Sequence, residues 1–408
     1  MRDLSAVVDG ERLGTYSRLL VACYGILLLA LLVLSSGNVG PDGKPIGADF
    51  ITFWSAGRLT LAGNAAGAFD ADTIFAMQRV AAPAYNYIFL WHYPPTFQLA
   101  AAVLAVPPYL VSYYLFVGAS LALFIAAVRP MVPWREAGIL LLALPATLTC
   151  VLHGQNSLVS AALLATAIMS IERRPVLAGV CIGLLAYKPQ LGVLFPLVLA
   201  MTGHWKVMGV AAVTLAVFVG LSMAAFGFEL WAVFLGNLAV VREVVESGQL
   251  PWGKMPSAFV FLRKLGVPQT FAYAGQVVVA AGVVAVVTMV WWRRGATLMA
   301  GAVLVSGTML LTPYTFDYEM AIMAVPLAVI ARHLVRHGAS EGEKLLLGAL
   351  AAAPLAMGPL VDKCGIQLGF LALAAMFVWT ARLALVPRAV AAKDIPVEAA
   401  GSSLVTSR

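Results

Sequence analysis

The chain has 408 residues, 62% of them hydrophobic and 11% charged, with a mean hydropathy of +0.92 and a formal net charge of +7. Soluble domains carry roughly 45–50% apolar and about 25% charged residues, so both a water-soluble globule and a disordered chain are excluded. The positive charge gathers in nothing larger than the pairs Arg173-Arg174 and Arg293-Arg294, which points to membrane orientation and away from nucleic acid.

A bilayer core of about 30 Å asks for some 20 apolar residues per helix, and the runs present predict an all-α, polytopic integral membrane protein of roughly 11–13 transmembrane or half-spanning helices. A cytoplasmic segment, 1–18, carries Arg2, Arg12 and Arg18 and precedes the first run, Leu19–Leu34. So long a basic leader suits an uncleaved anchor better than a signal peptide. An aromatic-rich outer loop covers 35–95. In it Phe50, Phe53, Trp54, Gly57 and Leu61 recur at spacings of three and four, while Thr52, Ser55 and Arg58 fall off that face. This predicts an amphipathic juxtamembrane helix lying along the membrane surface. Asp70 and Asp72 precede a second short helix, Thr73–Val80, as capping residues. The loop closes on Trp91-His92-Tyr93-Pro94-Pro95, where the prolines delay the next helix. An aromatic belt that only anchors the loop is the competing reading.

Further apolar runs occupy Thr96–Val106, Tyr109–Val128, Ala137–Leu152, Leu158–Ile171, Val176–Ala186, Leu191–Met201 and Val207–Phe226. A second outer segment, 227–269, separates them from Phe271–Trp292, Thr297–Leu311, Met320–Ile330, Leu345–Leu360 and Leu368–Val386. One membrane domain therefore spans 19–386, followed by a disordered cytoplasmic tail, 387–408. Arg18, Arg173, Arg174, Lys206, Arg293, Arg294, Arg332, Arg336, Lys344, Arg388 and Lys393 share one alternating set of loops, assigned to the inside. With Asp49 and His153 both outside, the runs between Pro95 and His153 must cross an even number of times. The short run Thr96–Val106 is the one expected to cross only in part.

Polar residues break the apolar sequence at His153-Gly154-Gln155-Asn156, at Tyr187-Lys188-Pro189-Gln190 and from Thr312 to Glu319. A charge at mid-bilayer costs at least about 2.5–3.5 kcal/mol, so such residues face a cavity or a partner unless they lie in a loop. Glu319 reads as a loop residue. Lys188 reads as the tip of a tight hairpin, holding its ammonium at the outer boundary. Cys23, Cys150, Cys181 and Cys364 lack metal-ligand spacing and read as small packing residues. His333 and His337 sit beside Arg332 and Arg336, which disfavours a metal, and Gly179 and Gly183 have the spacing of a helix-packing pair. There is no phosphate-binding GxxxxGK[ST] and no GxSxG, so no nucleotide, cofactor or metal is expected.

Taken together, GADF ending at Phe50, YPP at Tyr93, GQN at Gly154, KPQ at Lys188 and TPYTFDY ending at Tyr318 resemble, in that order, glycosyltransferase family 87. These are polyprenyl-phosphate-mannose-dependent α-mannosyltransferases of the C-type, multi-span class. The resemblance implies transfer of a hexosyl group, usually mannosyl, from a polyprenyl-phosphate-linked donor to a lipid or glycan acceptor. It places the reaction at the outer face of a bacterial cytoplasmic membrane. Asp49 matches the family's catalytic acid, and Lys188, Gln155 and Asn156 match polar positions of its cavity. Trp54, Tyr93, Asp317 and Tyr318 are expected to line the same cavity. Some members carry histidines after the late proline motif, where this chain has Asp317-Tyr318.

The chemistry suits these residues. A sugar phosphoester has a good leaving group, so one carboxylate acting as base on the acceptor hydroxyl suffices, with inversion at the anomeric carbon. Cations must stabilise the departing phosphate, and Lys188, with Arg58 and His92, are the candidates. The alternative class is a transporter or flippase of a lipid-linked saccharide, whose ionisable residues belong nearer the midplane than these.

Overall fold

In lipid every backbone polar group must be satisfied within the chain, which leaves helices or closed barrels. The computed structural model describes residues 10–365 and 367–386, and within them no strand forms beyond isolated bridges at Ser36–Val39 and Val39–Pro45. The expected tail at 387–408, with Arg388 and Lys393, lies outside the described residues, as does Arg2. Six segments are long and apolar enough to cross a membrane: Leu13–Leu34, Tyr109–Met131, Trp205–Phe226, Gln269–Arg294, Asp317–His337 and Leu368–Leu385. Shorter apolar helices fill the space between them.

Helix α1 (Gly10–Leu34) leads to the loop that carries Asp49. That loop feeds α2 (Phe50–Leu61), α3 (Ala71–Ala81) and α4 (Pro95–Leu104), which form a cap over one end of the bundle. Here the sequence reading needs correcting. Helix α2 does not lie on the surface: Phe50 through Gly57 and Leu59 are all buried, Thr52 and Ser55 included. The reason is that the rest of the loop folds over the helix's polar side. Thr52 Oγ1 donates to the Phe89 carbonyl at 2.8 Å, and Gln78 Nε2 donates to the same carbonyl at 2.6 Å. On the other side, Gly57 lets α4 approach so closely that a Cβ there would lie 2.0 Å from the Ala101 carbonyl oxygen. Phe53 anchors an aromatic core, with Tyr93 and Phe97 edge-on at centroid distances of 5.2 and 5.0 Å. The capping expectation holds for α3, where the Asp70 carboxylate accepts from the Thr73 amide at 2.9 Å.

Helix α4 does not cross the bundle. It packs on α2, and the chain after it stays at the Asp49 end, where Trp54 Nε1 donates to the Pro107 carbonyl and the Tyr109 hydroxyl to that of Ile46. From there α5 (Tyr109–Val128) runs to the far end, and α6 (Ala137–Ala143) and α7 (Pro145–His153) return as one broken helix. Pro145, which cannot bond back to the preceding turn, makes the break. The return is thus even, as the sequence required. The Tyr113 hydroxyl donates to the Val151 carbonyl at 2.9 Å and ties the two passes together.

Next come α8 (Ser157–Ser170), α9 (Pro175–Leu184), α10 (Phe195–Met201) and α11 (Trp205–Phe226). Helices α9 and α10 are the legs of the hairpin whose tip holds Lys188. Gly179 and Gly183 do face a neighbour: their Cβ atoms would each lie 2.7 Å from a carbonyl oxygen of α11, those of Val207 and Ala211. A second cap element follows, α12 (Glu229–Glu246) and α13 (Ala258–Lys264), joined to the first where Asn237 Nδ2 donates to the Trp91 carbonyl. Helices α14 (Gln269–Arg294), α15 (Leu298–Thr308), α16 (Ala324–His337), α17 (Glu341–Cys364) and α18 (Leu368–Leu385) complete the bundle.

The end opposite Asp49 is the basic one. Arg332 reaches the Pro130 carbonyl there, Arg294 that of Leu385, and His204 the carboxylate of Glu172. Cys150 and Cys181 are buried packing residues as expected, while Cys23 is exposed on α1.

Candidate active site

Asp49 stands where the first loop turns into α2. Gly47 and Ala48 have φ of 79° and 28°, in the left-handed region that L side chains avoid. At Gly47 a Cβ would lie 2.6 Å from the Tyr113 ring, so only glycine fits. Although Asp49 precedes the helix, its carboxylate makes no capping bond. Instead Gln155 Nε2 donates to Asp49 Oδ2 at 2.9 Å. Gln155 Oε1 accepts from the Tyr93 hydroxyl at 3.0 Å and from the Asn156 amide at 3.3 Å. These donors fix the carboxamide with its nitrogen toward the carboxylate. Burial, then the carboxylates of Glu319 and Asp49, hold the Tyr93 phenol well above its ordinary range, so it remains a donor. Gly154 makes the approach possible: its φ is 59°, and a Cβ would meet Phe50 Cβ at 2.5 Å.

Three sequence-distant breaks therefore converge on one point: the Asp49 turn, the end of α7 and the close of the first loop at Tyr93. The hairpin tip and the late proline motif join them. Lys188 Nζ lies 5.9 Å from the Tyr93 ring centroid and 5.6 Å from that of Tyr318. It is not a free ammonium, however. It donates to Glu319 Oε1 at 3.0 Å, and both side chains are more than nine-tenths buried. Glu319 Oε2 accepts in turn from the Phe316 amide at 2.9 Å. The reading of Glu319 as a loop residue is thus overturned, because a buried carboxylate needs a partner and Lys188 is that partner.

The remaining expectations divide. Tyr93, Gln155, Asn156, Asp317 and Tyr318 are brought into this neighbourhood. Asn156 buries both polar atoms of its carboxamide without a well-formed hydrogen bond. Asp317 accepts from the Tyr318 amide at 2.8 Å. Trp54 is core of the cap and not a cavity wall, with its ring against Tyr109 and its Nε1 on Pro107. Arg58 is exposed above the Trp54 ring, nine residues and about 13 Å along α2 from Asp49. His92 carries no charge to offer a phosphate near pH 7, since burial pushes its imidazole down to about 4.

One cation at this end carried no mark in the sequence. Lys254 Nζ donates to His153 Nε2 at 3.0 Å, and His153 Nδ1 pairs with the Thr149 carbonyl at 2.8 Å. The carbonyl can only accept, so Nδ1 carries the proton and Nε2 the lone pair. The His153 ring also lies tilted against that of Tyr318, 5.8 Å between centroids. His153 and Lys254 sit on a groove of about 540 Å³ that runs between α1 and α5 and touches Gly47 and Ala48.

The family model of glycosyltransferase family 87 matches residues 91–313, more than half of the chain. Tyr93, Gln155, Asn156, Lys188 and Lys254 fall within the match, and Asp49 and Glu319 outside it. No curated protein and no solved structure matches.

Proposed function

The chain belongs to glycosyltransferase family 87 and is a membrane glycosyltransferase, and on that premise we propose that it transfers a hexosyl group from a polyprenyl-phosphate-linked donor to a lipid or glycan acceptor, with Asp49 as general base. The sugar proposed is mannosyl, from the resemblance of its motifs. Family membership replaces the transporter reading. The observation that carries the proposal is the Asp49–Gln155–Tyr93 chain of hydrogen bonds beside an apolar groove. Gln155 donates to Oδ2, which leaves Oδ1 as the oxygen proposed to take the acceptor's proton.

In the proposed step the acceptor hydroxyl loses its proton to Asp49, and its oxygen bonds to the anomeric carbon on the face opposite the phosphate. The bond from that carbon to the phosphate oxygen breaks, its electron pair stays on the phosphate, and the configuration inverts. No nucleotide or second acid is required, because a lipid phosphate leaves readily. The basic end of the bundle supports an orientation with Asp49 facing the exterior or periplasm of the cytoplasmic membrane.

The test is sugar transfer by purified protein supplied with a polyprenyl-phosphate-linked hexose. Asp49→Asn should lower turnover by about 10²–10⁴-fold, the range of a general base. Asp70→Asn serves as the control, since Asp70 caps α3 and should affect stability more than turnover. Activity retained in Asp49→Asn but lost in Asp317→Asn would overturn the assignment.

A further inference from the structure

We propose that the groove between α1 and α5 seats the chain of a polyprenyl monophosphate and that Lys254, positioned by His153, carries its phosphate. This rests on the lipid-phosphate reading of the donor and assigns a place to it.

The walls are apolar and the rim is charged. Leu28, Leu29 and Leu32 of α1 face Val117 and Leu121 of α5, and the volume of about 540 Å³ lies within the roughly 300–1,000 Å³ of small-ligand pockets. From Tyr113 to Leu121 the α5 wall extends about 12 Å at 1.5 Å per residue. At the upper end of the groove stand Lys254, His153 and the 40–48 turn with Lys44 and Asp42. Lys44 is offset by Asp42, 3.8 Å away and exposed. Lys254 is different: among the described residues no carboxylate lies within ion-pair distance of it. The Asp317 carboxylate interacts with Lys254 and His153 at longer range.

An apolar slot that ends under an unneutralised ammonium is complementary to a long hydrocarbon with an anionic head. A neutral lipid leaves the cation unused, and a free phosphate leaves the leucines unused. The position also suits the proposed reaction, since the slot touches the two residues that precede Asp49. The charge of Lys188 is already met by the Glu319 carboxylate at 3.0 Å.

Lys254 is held in advance. It ends the short helical turn Trp252–Lys254, where Gln367 Nε2 donates to the Trp252 and Gly253 carbonyls at 2.8 and 2.9 Å. Trp252 Nε1 donates to the Val245 carbonyl at 2.9 Å. His153 accepts one ammonium hydrogen without neutralising the charge, which leaves the others for phosphate oxygens. His153 is in this sense a positioning residue.

The experiment measures equilibrium binding of farnesyl monophosphate, farnesol and inorganic phosphate to the full chain in nanodiscs, corrected against empty discs. Lys254→Gln should weaken farnesyl monophosphate by about tenfold or more, the worth of a charge-assisted hydrogen bond, and leave farnesol unchanged. Val117→Trp, which fills the slot, should weaken both lipids. His153→Leu should match Lys254→Gln and add nothing to it in the double variant, and His153→Gln, which keeps an acceptor, should recover most of the loss. The inference falls if Lys254→Gln binds as wild type does, if Val117→Trp leaves both lipids bound, or if inorganic phosphate binds as tightly as farnesyl monophosphate. Additive loss in the double variant, or no recovery with glutamine, removes His153 from the role. Wild-type protein that binds no farnesyl monophosphate sinks the lipid-donor reading as well. Tight binding indifferent to Lys254 sinks this inference alone.

Discussion

Lys188 and Glu319 lie 131 positions apart, and their contact explains why two charges tolerate burial. Removing one partner of such a pair strands the other, at a cost of about 3–5 kcal/mol, whereas replacing both with apolar residues of similar volume is often nearly neutral. Lys188→Gln and Glu319→Gln should therefore each lower the thermal midpoint in detergent markedly, and Lys188→Met/Glu319→Leu should be more stable than either. Additive losses in the double variant would show that the two side chains are not coupled. The same pair marks the limit of reading single residues from sequence. Asp49, Tyr93, Gln155 and Lys188 were legible because each sits in a polar break or beside a proline, where an apolar run has no other reason to stop. Glu319 sits in such a break too, yet its partner comes from a hairpin elsewhere in the chain, and no local pattern encodes that. Lys254 had no local signal either; its position depends on Gln367, from the far end of the chain.

At the scale of elements, length and hydropathy located most helices but not α12 and α13 in the second outer segment, and Pro145, Pro175 and Pro189 fall where helices start or break. The placement of α2 was not legible. A stripe at spacings of three and four normally means one buried face, but here Thr52 finds a backbone acceptor within the protein and the loop covers the side that water would otherwise wet. Gly57 is the residue on which this burial turns. Gly57→Ala should push α2 from α4 and cost about 1–3 kcal/mol, as overpacking does. Gly118→Ala, at a helical position with open space around it, should be neutral or stabilising by up to about 1 kcal/mol. Thermal unfolding of the two variants in parallel checks the claim, and equal midpoints would refute it.

For the whole molecule, the alternation of basic and polar loops resolves into two ends, with the cap and Asp49 at one and Arg294, Arg332 and His204 at the other. Sequence alone required an even number of crossings between Pro95 and His153. It named Thr96–Val106 as the run to cross only in part, and the helix that forms there, α4, packs on α2 and does not cross. The orientation is open to direct measurement. With native cysteines replaced, Asp72→Cys in α3 should react with a membrane-impermeant thiol reagent on intact cells, and Arg174→Cys only after permeabilisation. The reverse pattern would turn the proposed reaction to the cytoplasmic side.

Helix α1 stands apart from the rest of the bundle: its span Leu13–Leu34 is mostly exposed, and it packs chiefly on α6. A slot with such a helix for a wall opens sideways into the leaflet, and its occupant has no need to pass through water. With the lipid-linked donor proposed above seated in this slot, the molarity of donor in the suspension would be the wrong variable. Saturation would then follow the donor's mole fraction among the surrounding lipids, and catalysis would become a problem of diffusion in two dimensions.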